Sequence, residues 1–238
     1  MMLLVEMGIV LSVSRYSTNR KIKSLRIRSK HMKVIFAAGG TGGHINPALA
    51  SAGELRRRHP DVDILFIGTK EHMESKLVPA AGFAFKTIEI TGFQRKFSAK
   101  NIAKNIKTLF LMISSSREVK KIIKEFKPDV VVGFGGYVSG PVVRTACKLG
   151  VKTAIHEQNA YPGVTNKALA KTVDKVMLTV KKAEEHLECK NEPIVTGLPV
   201  RSEIIEADRE FFTCKARCLA RQHNGALNGR QSGCKGNK

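Results

Sequence analysis

The sequence predicts an α/β protein built on a doubly wound parallel sheet over residues 32–205. Short apolar runs rich in Val, Ile and Phe alternate with longer stretches of helical periodicity, which is typical of repeated strand–helix–strand units. The apolar runs are mostly continuous, as expected for parallel strands that helices cover on both faces. We therefore expect a Rossmann-like domain with its ligand site at the carboxyl ends of the strands.

Seven strands and five helices are predicted in chain order. The predicted strands are Lys33–Ala38, Asp63–Gly68, Ala84–Ile90, Val130–Gly133, Thr153–His156, Lys175–Leu178 and Ile194–Gly197. The predicted helices are Asn46–Arg58, Glu71–Ala80, Asn101–Phe126, Pro141–Leu149 and Val164–Lys171.

The two flanks lack this pattern. Residues 1–31 are interpreted as a basic extension outside the core, with Met32 as a hypothetical true start. An apolar stretch precedes the basic one, which is the reverse of the order in a secretory signal, so we expect no export. Residues 206–238 are rich in Gly, Asn, Arg and Cys, and we interpret them as a disordered tail or as translation out of frame.

The net charge is strongly positive, at +21. Residues 1–31 and 208–238 contribute +6 and +5 of this charge, so the part between them remains basic. A basic surface suits phosphate groups, anionic lipid or nucleic acid, and solubility alone is the alternative interpretation. No aromatic-rich recognition module accompanies the charge, so we expect no nucleic-acid partner.

The sequence gives no sign of a metal site or a resident cofactor. Its five cysteines do not supply four well-spaced zinc ligands, so we expect free thiols in a reducing compartment. No pair of acidic residues with metal-binding spacing follows a predicted strand. We therefore expect chemistry that needs neither a metal nor a cofactor.

A first glycine-rich bend, Gly39–His44, follows the first predicted strand. Glycines let the backbone turn sharply and bring its N–H groups against a ligand, and the helix that follows offers its positive N-terminal end to an anion. The bend lacks the lysine of a Walker loop, and Ile45 stands where the dinucleotide fingerprint requires glycine. The pattern predicts a diphosphate site of another kind and counts against a nicotinamide dehydrogenase.

A second glycine-rich bend, Gly133–Pro141, follows the fourth predicted strand, with Tyr137 beside it and Pro141 at the expected start of a helix. Two such bends at one edge of a sheet predict a divided phosphate or sugar site. The fifth strand ends in four polar residues, His156, Glu157, Gln158 and Asn159, which are interpreted as a ligand-reading loop, although Asn159 is also an ordinary turn former.

The stretch Phe93–Ser116 combines apolar residues at helical spacing with Lys100, Lys104 and Lys107 on one flank. A basic-rimmed apolar face of this kind lies on an anionic bilayer in many peripheral proteins. The alternative is that the apolar stripe packs on the sheet while the lysines face water.

Taken together and in order, "GGTGGH", "GGYVSGP", "HEQN" and "TGLPVR" resemble the motifs of a bacterial cell-wall glycosyltransferase family. This is the lipid II-forming peptidoglycan glycosyltransferase group of family 28, and the resemblance covers residues 33 to about 205. It implies the N-terminal half of a two-domain GT-B enzyme. It also implies inverting transfer of GlcNAc from UDP-GlcNAc to the C4 hydroxyl of the MurNAc sugar of lipid I, giving lipid II.

The resemblance assigns roles by motif. It implies contacts with the nucleotide sugar from Thr41, Gly42, Gly43, Asn159 and Arg201. His44 matches a histidine near the acceptor hydroxyl and is the candidate catalytic base, and the sequence leaves His156 and Glu157 as rival bases. Tyr137 and Glu157 match positions on the acceptor side. The resemblance also implies that the Phe93–Phe110 region attaches the protein peripherally to the anionic inner membrane, on its cytoplasmic face.

The sequence departs from the family pattern in two ways. Leu198 stands where the family usually has asparagine, which alters hydrogen bonding in that loop. The family's second domain, which supplies most of the uridine pocket, is absent from this sequence. We therefore expect this chain alone to be weakly active or inactive. A non-catalytic fragment that binds a nucleotide or a lipid is the alternative.

Overall fold

The computed structural model describes residues 31–90, 115–201 and 204. Predictions for the basic extension before residue 31, for most of Phe93–Ser116 and for the tail after residue 205 fall outside the described residues. Cys147 and Cys189 are free thiols, as expected. The other three cysteines also lie outside the described part of the chain.

The chain alternates strands and helices throughout the described residues. The strands are β1 (Lys33–Ala37), β2 (Asp63–Gly68), β3 (Ala84–Thr87), β4 (Val130–Gly133), β5 (Lys152–Glu157), β6 (Lys175–Leu178) and β7 (Ile194–Val195). The helices are α1 (Gly42–Arg58), α2 (Glu74–Ala80), α3 (described over residues 115–126), α4 (Gly136–Lys148) and α5 (Val164–Ala170), with a 3₁₀ helix at Lys181–His186.

The seven strands form one parallel sheet in the order β3-β2-β1-β4-β5-β6-β7. The strand order reverses between β1 and β4, so these two strands are neighbours, and Ala37 pairs with Gly133 at their carboxyl ends. In open sheets of this type ligands bind where the order reverses. All seven predicted strands and the predicted doubly wound parallel sheet are confirmed.

Two apolar cores cover the two faces of the sheet. One contains Ile35 and Val131 with the buried side of α4 and α5, and the other contains Phe36 and Val132 with the buried side of α1. In the second core, Phe36 stacks on Phe66 and on Phe134 at ring-centroid distances of 5.2 and 5.8 Å. Successive residues of β1 and β4 therefore face opposite cores, which explains their continuous apolar sequence.

The helices that follow the glycine bends begin earlier than predicted. The prediction started them at Asn46 and Pro141, whereas they begin at Gly42 and Gly136. Each carries a proline at its sixth residue, Pro47 or Pro141. The bends need fewer residues than the glycine-rich sequences suggest, so several of those residues belong to the first helical turns. The 3₁₀ helix was not predicted.

The stacked rings of the second core give a stability prediction. Phe36 is 1% exposed, so Phe36→Ala should lower the free energy of unfolding by about 3–5 kcal/mol, the range for buried Phe truncations. Tyr161→Ala, at a side chain 68% exposed, serves as the control and should change it by less than about 1 kcal/mol. Urea denaturation of both variants provides the measurement, and equal losses would contradict this account of the core.

Candidate functional site

The two glycine bends meet at the carboxyl ends of β1 and β4. The Phe134 N–H donates to the Ala37 carbonyl at 2.8 Å, which continues the strand pairing into the bends. Gly135 and Gly136 then adopt φ values of +96° and +76°, which side chains rarely allow. A methyl group on Gly136 would overlap the carbonyl oxygen of Gly39, so the two bends touch backbone to backbone.

Ser139, which is fully buried, fixes the second bend onto β1. Its hydroxyl oxygen lies 2.8 Å from the Ala37 carbonyl and 2.7 Å from the Gly135 carbonyl, and it accepts from the Gly135 N–H at 3.0 Å. The hydroxyl has one proton to donate and two carbonyls within reach. The sequence analysis missed this role, although Ser139 lies inside the motif it singled out.

Glu74, fully buried at the first residue of α2, joins the first bend to the end of β2. One carboxylate oxygen accepts from the Gly40 N–H at 3.2 Å. The other accepts from the N–H and the hydroxyl of Thr69, at 3.1 and 2.6 Å. The Gly40 N–H is therefore already hydrogen-bonded to the Glu74 carboxylate and is not available to a ligand. The sequence analysis missed Glu74 because its partner Gly40 lies 34 residues away.

The unpaired amides lie in the first turns of the two helices. The backbone N–H groups of Gly42, Gly43, Gly136 and Tyr137 form no hydrogen bond with any described residue. First-turn amides have no partner within their own helix and point outward with the positive end of the helix dipole. An anion at this edge would therefore meet amides from both helices, whereas the Gly40 and Gly135 amides are held inward.

His44 is half-buried and lies in the first turn of α1. One of its ring nitrogens is hydrogen-bonded, and the other has no partner among the described residues. Its Nδ1 lies 3.2 Å from the Thr41 hydroxyl oxygen and 3.3 Å from the Gly39 carbonyl oxygen. The carbonyl can only accept, so Nδ1 carries the proton when it is hydrogen-bonded to Gly39. Its Nε2 forms no hydrogen bond with a described residue and is the basic nitrogen of this tautomer. The His44 ring also packs against Gly135, where a methyl group would lie 2.9 Å from Cδ2.

Tyr137 is close to both bends. A methyl group on Gly40 would lie 3.5 Å from its ring, and the His72 ring meets it edge-on at 5.8 Å. Burial raises the pKa of the Tyr137 hydroxyl, and the carboxylates of Glu74 and Glu71 act in the same direction. The hydroxyl therefore stays protonated at neutral pH and can act as a hydrogen-bond donor.

Glu157 ends β5 as a buried carboxylate with four donors. The N–H and the side-chain amide of Asn159 donate to Oε1 at 2.9 and 3.0 Å. The Gly163 N–H and the Asn166 side-chain amide donate to Oε2 at 3.1 and 2.8 Å. This network holds the loop that presents Asn159, whose side chain is exposed. In this geometry Glu157 organises the loop after β5, and both of its carboxylate oxygens accept hydrogen bonds from within the protein.

His156 is also buried and satisfied. Its Nε2 donates to the Gly197 carbonyl at 3.0 Å, and its Nδ1 accepts from the Gln158 side-chain amide at 3.2 Å. Burial lowers the pKa of His156, although the hydrogen bond with Gly197 and the charge of Glu157 oppose this shift. The neutral ring connects β5 to the loop after β7 by a hydrogen bond, and neither of its nitrogens is free to accept a substrate proton.

The structure therefore brings most of the predicted site residues to one edge. Gln158 donates to the Phe134 carbonyl at 2.9 Å, which links the loop after β5 to the second bend. Asn166, which the sequence analysis did not single out, lies beside Gly135 on the side of His44. Arg201 is exposed and forms no hydrogen bond with the described part of the chain, so it is not drawn into this edge.

Within residues 31–90 and 115–201 no group of three or more His, Cys, Asp or Glu side chains is arranged to hold a metal ion. No helix in the part of the chain that the structure describes is long and apolar enough to cross a bilayer.

The fold and this edge define a doubly wound α/β domain with two sets of unpaired helix amides at its strand reversal. Residues 34–178 match the glycosyltransferase family 28 N-terminal domain. Because the match covers more than half of the 238 residues, the chain belongs to this glycosyltransferase family.

Relatives in two bacteria carry one description, UDP-N-acetylglucosamine--N-acetylmuramyl-(pentapeptide) pyrophosphoryl-undecaprenol N-acetylglucosamine transferase. The protein of Acetivibrio thermocellus is 49% identical over 179 residues, covering 75% of this chain and 47% of that protein. The protein of Alkaliphilus oremlandii is 47% identical over 175 residues, covering 74% and 47%. The chain thus spans about half the length of the curated relatives it matches.

Solved structures agree with this fold. The crystal structure of Acinetobacter baumannii MurG matches with a TM-score of 0.58 and 30% identity, covering 75% of this chain and 50% of that one. A UDP-GlcNAc 2-epimerase from Neisseria meningitidis matches with a TM-score of 0.54 at 17% identity, covering 84% and 54%, and shares the fold.

The contact between the bends gives a prediction with a matched control. Gly136 and Gly150 have similar φ values, +76° and +71°, but a methyl group at Gly150 meets nothing within 4 Å. Gly150→Ala should therefore cost only about 1–2 kcal/mol of backbone strain. Gly136→Ala should cost about 1–3 kcal/mol more, because it also pushes the bends apart. Urea denaturation gives both values, and equal costs would show that the bends do not touch as described.

His156 gives a pH prediction. Its folded-state pKa lies below the unfolded value of about 6.5, so the unfolded chain binds more protons in acid. The free energy of unfolding should therefore fall as the pH drops below about 6.5, by at most about 1.4 kcal/mol per pH unit from this residue.

Urea titrations at pH 7.5 and 5.5 can isolate this effect. His156→Gln should show a smaller loss between the two pH values than the unsubstituted chain. His59→Gln, at a half-buried histidine at the end of α1, should keep the original loss. The account of His156 as a buried neutral group is wrong if both variants keep it.

Proposed function

We propose that this chain is the N-terminal half of an inverting glycosyltransferase. The reaction moves GlcNAc from UDP-GlcNAc to the C4 hydroxyl of the MurNAc sugar of lipid I and yields lipid II. Family membership and the shared description of the relatives support the reaction class. The observation that carries the proposal is the free Nε2 of His44 beside two sets of unpaired helix amides.

The unpaired amides provide for the leaving group. As the bond between the anomeric carbon and UDP breaks, negative charge develops on the diphosphate. The Gly42 and Gly43 amides, with the Gly136 and Tyr137 amides from the neighbouring helix, would donate to this charge, and both helix dipoles favour it. Thr41 precedes them, and its exposed side chain would contact the nucleotide sugar while its hydroxyl lies 3.2 Å from Nδ1 of His44.

His44 is the proposed catalytic base. The C4 oxygen of the acceptor attacks the anomeric carbon, and its proton passes to Nε2 of His44 while UDP departs with both phosphates. In the tautomer in which Nδ1 donates to the Gly39 carbonyl, Nε2 carries no proton and can accept this one. The rival bases are less suitable, because His156 and Glu157 are buried and engaged in hydrogen bonds.

The remaining residues position the two sugars. Asn159, held by Glu157, would contact the donor sugar, and the half-buried Tyr137 would lie on the acceptor side. Arg201 is exposed and free to contact the donor together with the other half of a two-domain enzyme. The lipid acceptor implies peripheral attachment to the cytoplasmic face of the membrane, where the basic charge of the chain suits anionic lipid.

A hybrid enzyme tests the proposal. The C-terminal half of the Acetivibrio thermocellus relative would follow Arg201 of this chain, and transfer of radiolabelled GlcNAc to lipid I would be measured. We expect transfer by the hybrid and weak or no transfer by the 238-residue chain alone. A folded hybrid that binds UDP-GlcNAc but transfers nothing would contradict the proposed reaction.

His44→Gln in the hybrid should lower kcat about 10²–10⁴-fold with little change in KM for UDP-GlcNAc, because a general base acts in the transition state. His59→Gln is the matched control and should leave both constants unchanged. A His44→Gln hybrid within threefold of the parent kcat would rule out this histidine as the base.

A further inference from the structure

Nδ1 of His44 has two neighbours, and they favour different tautomers of the ring. The Gly39 carbonyl oxygen at 3.3 Å can only accept a hydrogen bond, so this contact requires the proton on Nδ1. The Thr41 hydroxyl at 3.2 Å can also donate, and it then requires the proton on Nε2. Only the first tautomer leaves Nε2 able to take a proton from a sugar hydroxyl. The balance between these two hydrogen bonds therefore decides whether His44 can act as the proposed base.

The Gly39 carbonyl belongs to the same peptide unit as the Gly40 N–H, which donates to Glu74 at 3.2 Å. The peptide is trans, so its N–H and C=O groups point in opposite directions, one toward Glu74 and the other toward His44. A hydrogen bond at one end of a peptide group polarises the group and strengthens a hydrogen bond at its other end. The Glu74 carboxylate thus makes the Gly39 oxygen a better acceptor for a proton on Nδ1.

Glu74 is fully buried and forms no ion pair with a described residue. Its other donors are the N–H and the hydroxyl of Thr69, at 3.1 and 2.6 Å. All three donors suit an ionised carboxylate, which only accepts hydrogen bonds. Burying a carboxylate without a cation is costly, and an apolar side chain would fill the same space without that cost. The charge is therefore better explained by its effect on the Gly40 peptide than by packing.

The carboxylate is held closely against this peptide. A methyl group on Gly39 would lie 2.8 Å from Oε1 of Glu74, and one on Gly68 would lie 2.6 Å from its Cγ. Any side chain at either position would push the carboxylate away from the bend. The two glycines therefore allow the close approach on which the hydrogen bond to Gly40 depends.

We propose that Glu74 is a positioning residue for the transfer reaction and that it acts on His44 through the Gly39–Gly40 peptide. It favours the tautomer in which Nδ1 donates to Gly39 and Nε2 accepts the proton of the attacking hydroxyl. Glu74 is buried behind the bend, so it acts without touching a substrate. This inference rests on the proposed function, since it adds a supporting group to the proposed base.

The tautomer ratio of His44 can be measured on the 238-residue chain without substrate. The ¹⁵N chemical shifts of the ring, recorded in alkaline solution where histidine rings are neutral, give the ratio of Nδ1–H to Nε2–H forms. Glu74→Gln keeps the size of the side chain but removes its charge, and it should lower this ratio about threefold or more. Glu71→Gln removes the same charge from an exposed side chain and is the control, which should leave the ratio unchanged.

Two further variants separate this role from a purely structural one. Thr41→Val removes the competing hydroxyl, so Glu74→Gln should change the ratio less in that background. Thr69→Val removes one donor to Glu74 but leaves the carboxylate bound to the Gly40 N–H, so it should not lower the ratio. A general loosening of the bend would lower the ratio in both the Glu74 and the Thr69 variants. Thr69→Val also keeps the inference testable if Glu74→Gln does not fold.

In the hybrid enzyme Glu74→Gln should lower kcat about tenfold or more and leave KM for UDP-GlcNAc within about twofold, because it changes the state of the base. The inference is wrong if Glu74→Gln leaves the tautomer ratio or kcat unchanged, if Glu71→Gln alters the ratio equally, or if Thr69→Val lowers it.

The outcome is separable from that of the transfer assay, because the ratio is measured without turnover. An active hybrid with an unaltered ratio would contradict this inference alone. An inactive hybrid beside the expected ratios would contradict the proposed reaction alone.

Discussion

The backbone contact between Gly39 and Gly136 sets the geometry of the functional edge. It exists because β1 and β4 are neighbours at the strand reversal, and because neither residue carries a side chain to separate the bends. Ser139 and the Phe134 amide fasten the second bend to the end of β1. Two helices that start 94 residues apart thereby present their first turns side by side, and no single helix could supply both sets of amides.

The sequence predicts the sheet well and the ends of its elements less well. Continuous apolar runs such as Val130–Gly133 are typical of buried parallel strands, so the strands could be predicted from the sequence, whereas their order in the sheet was not predicted. β3 ends at Thr87 rather than Ile90, because its one partner, β2, ends at Gly68 opposite Thr87. The end of a strand thus depends on the length of the strand it pairs with, and the sequence of the strand itself does not reveal that length. The early start of α4 likewise follows Gly135, which has a φ of +96° and packs against the His44 ring, 91 residues away in the sequence.

The candidate site also contains some residues that the local sequence reveals and others that it does not. The bends and His44 could be found from the sequence, because glycine spacing after a strand is a local signal. Glu74 and Ser139 could not, since their partners Gly40 and Ala37 lie 34 and 102 residues away. Glu157 was expected on the acceptor side by resemblance. Its four hydrogen-bond donors instead favour a supporting role, which only side-chain geometry can reveal.

The buried carboxylate of Glu74 determines which backbone amides this edge leaves open. It accepts from the Gly40 amide and lies directly behind the bend. The interior of the bend is therefore closed to a ligand by a side chain that belongs to the fold. An anion placed at this edge would meet only the outer rim, where the first turns of the two helices begin.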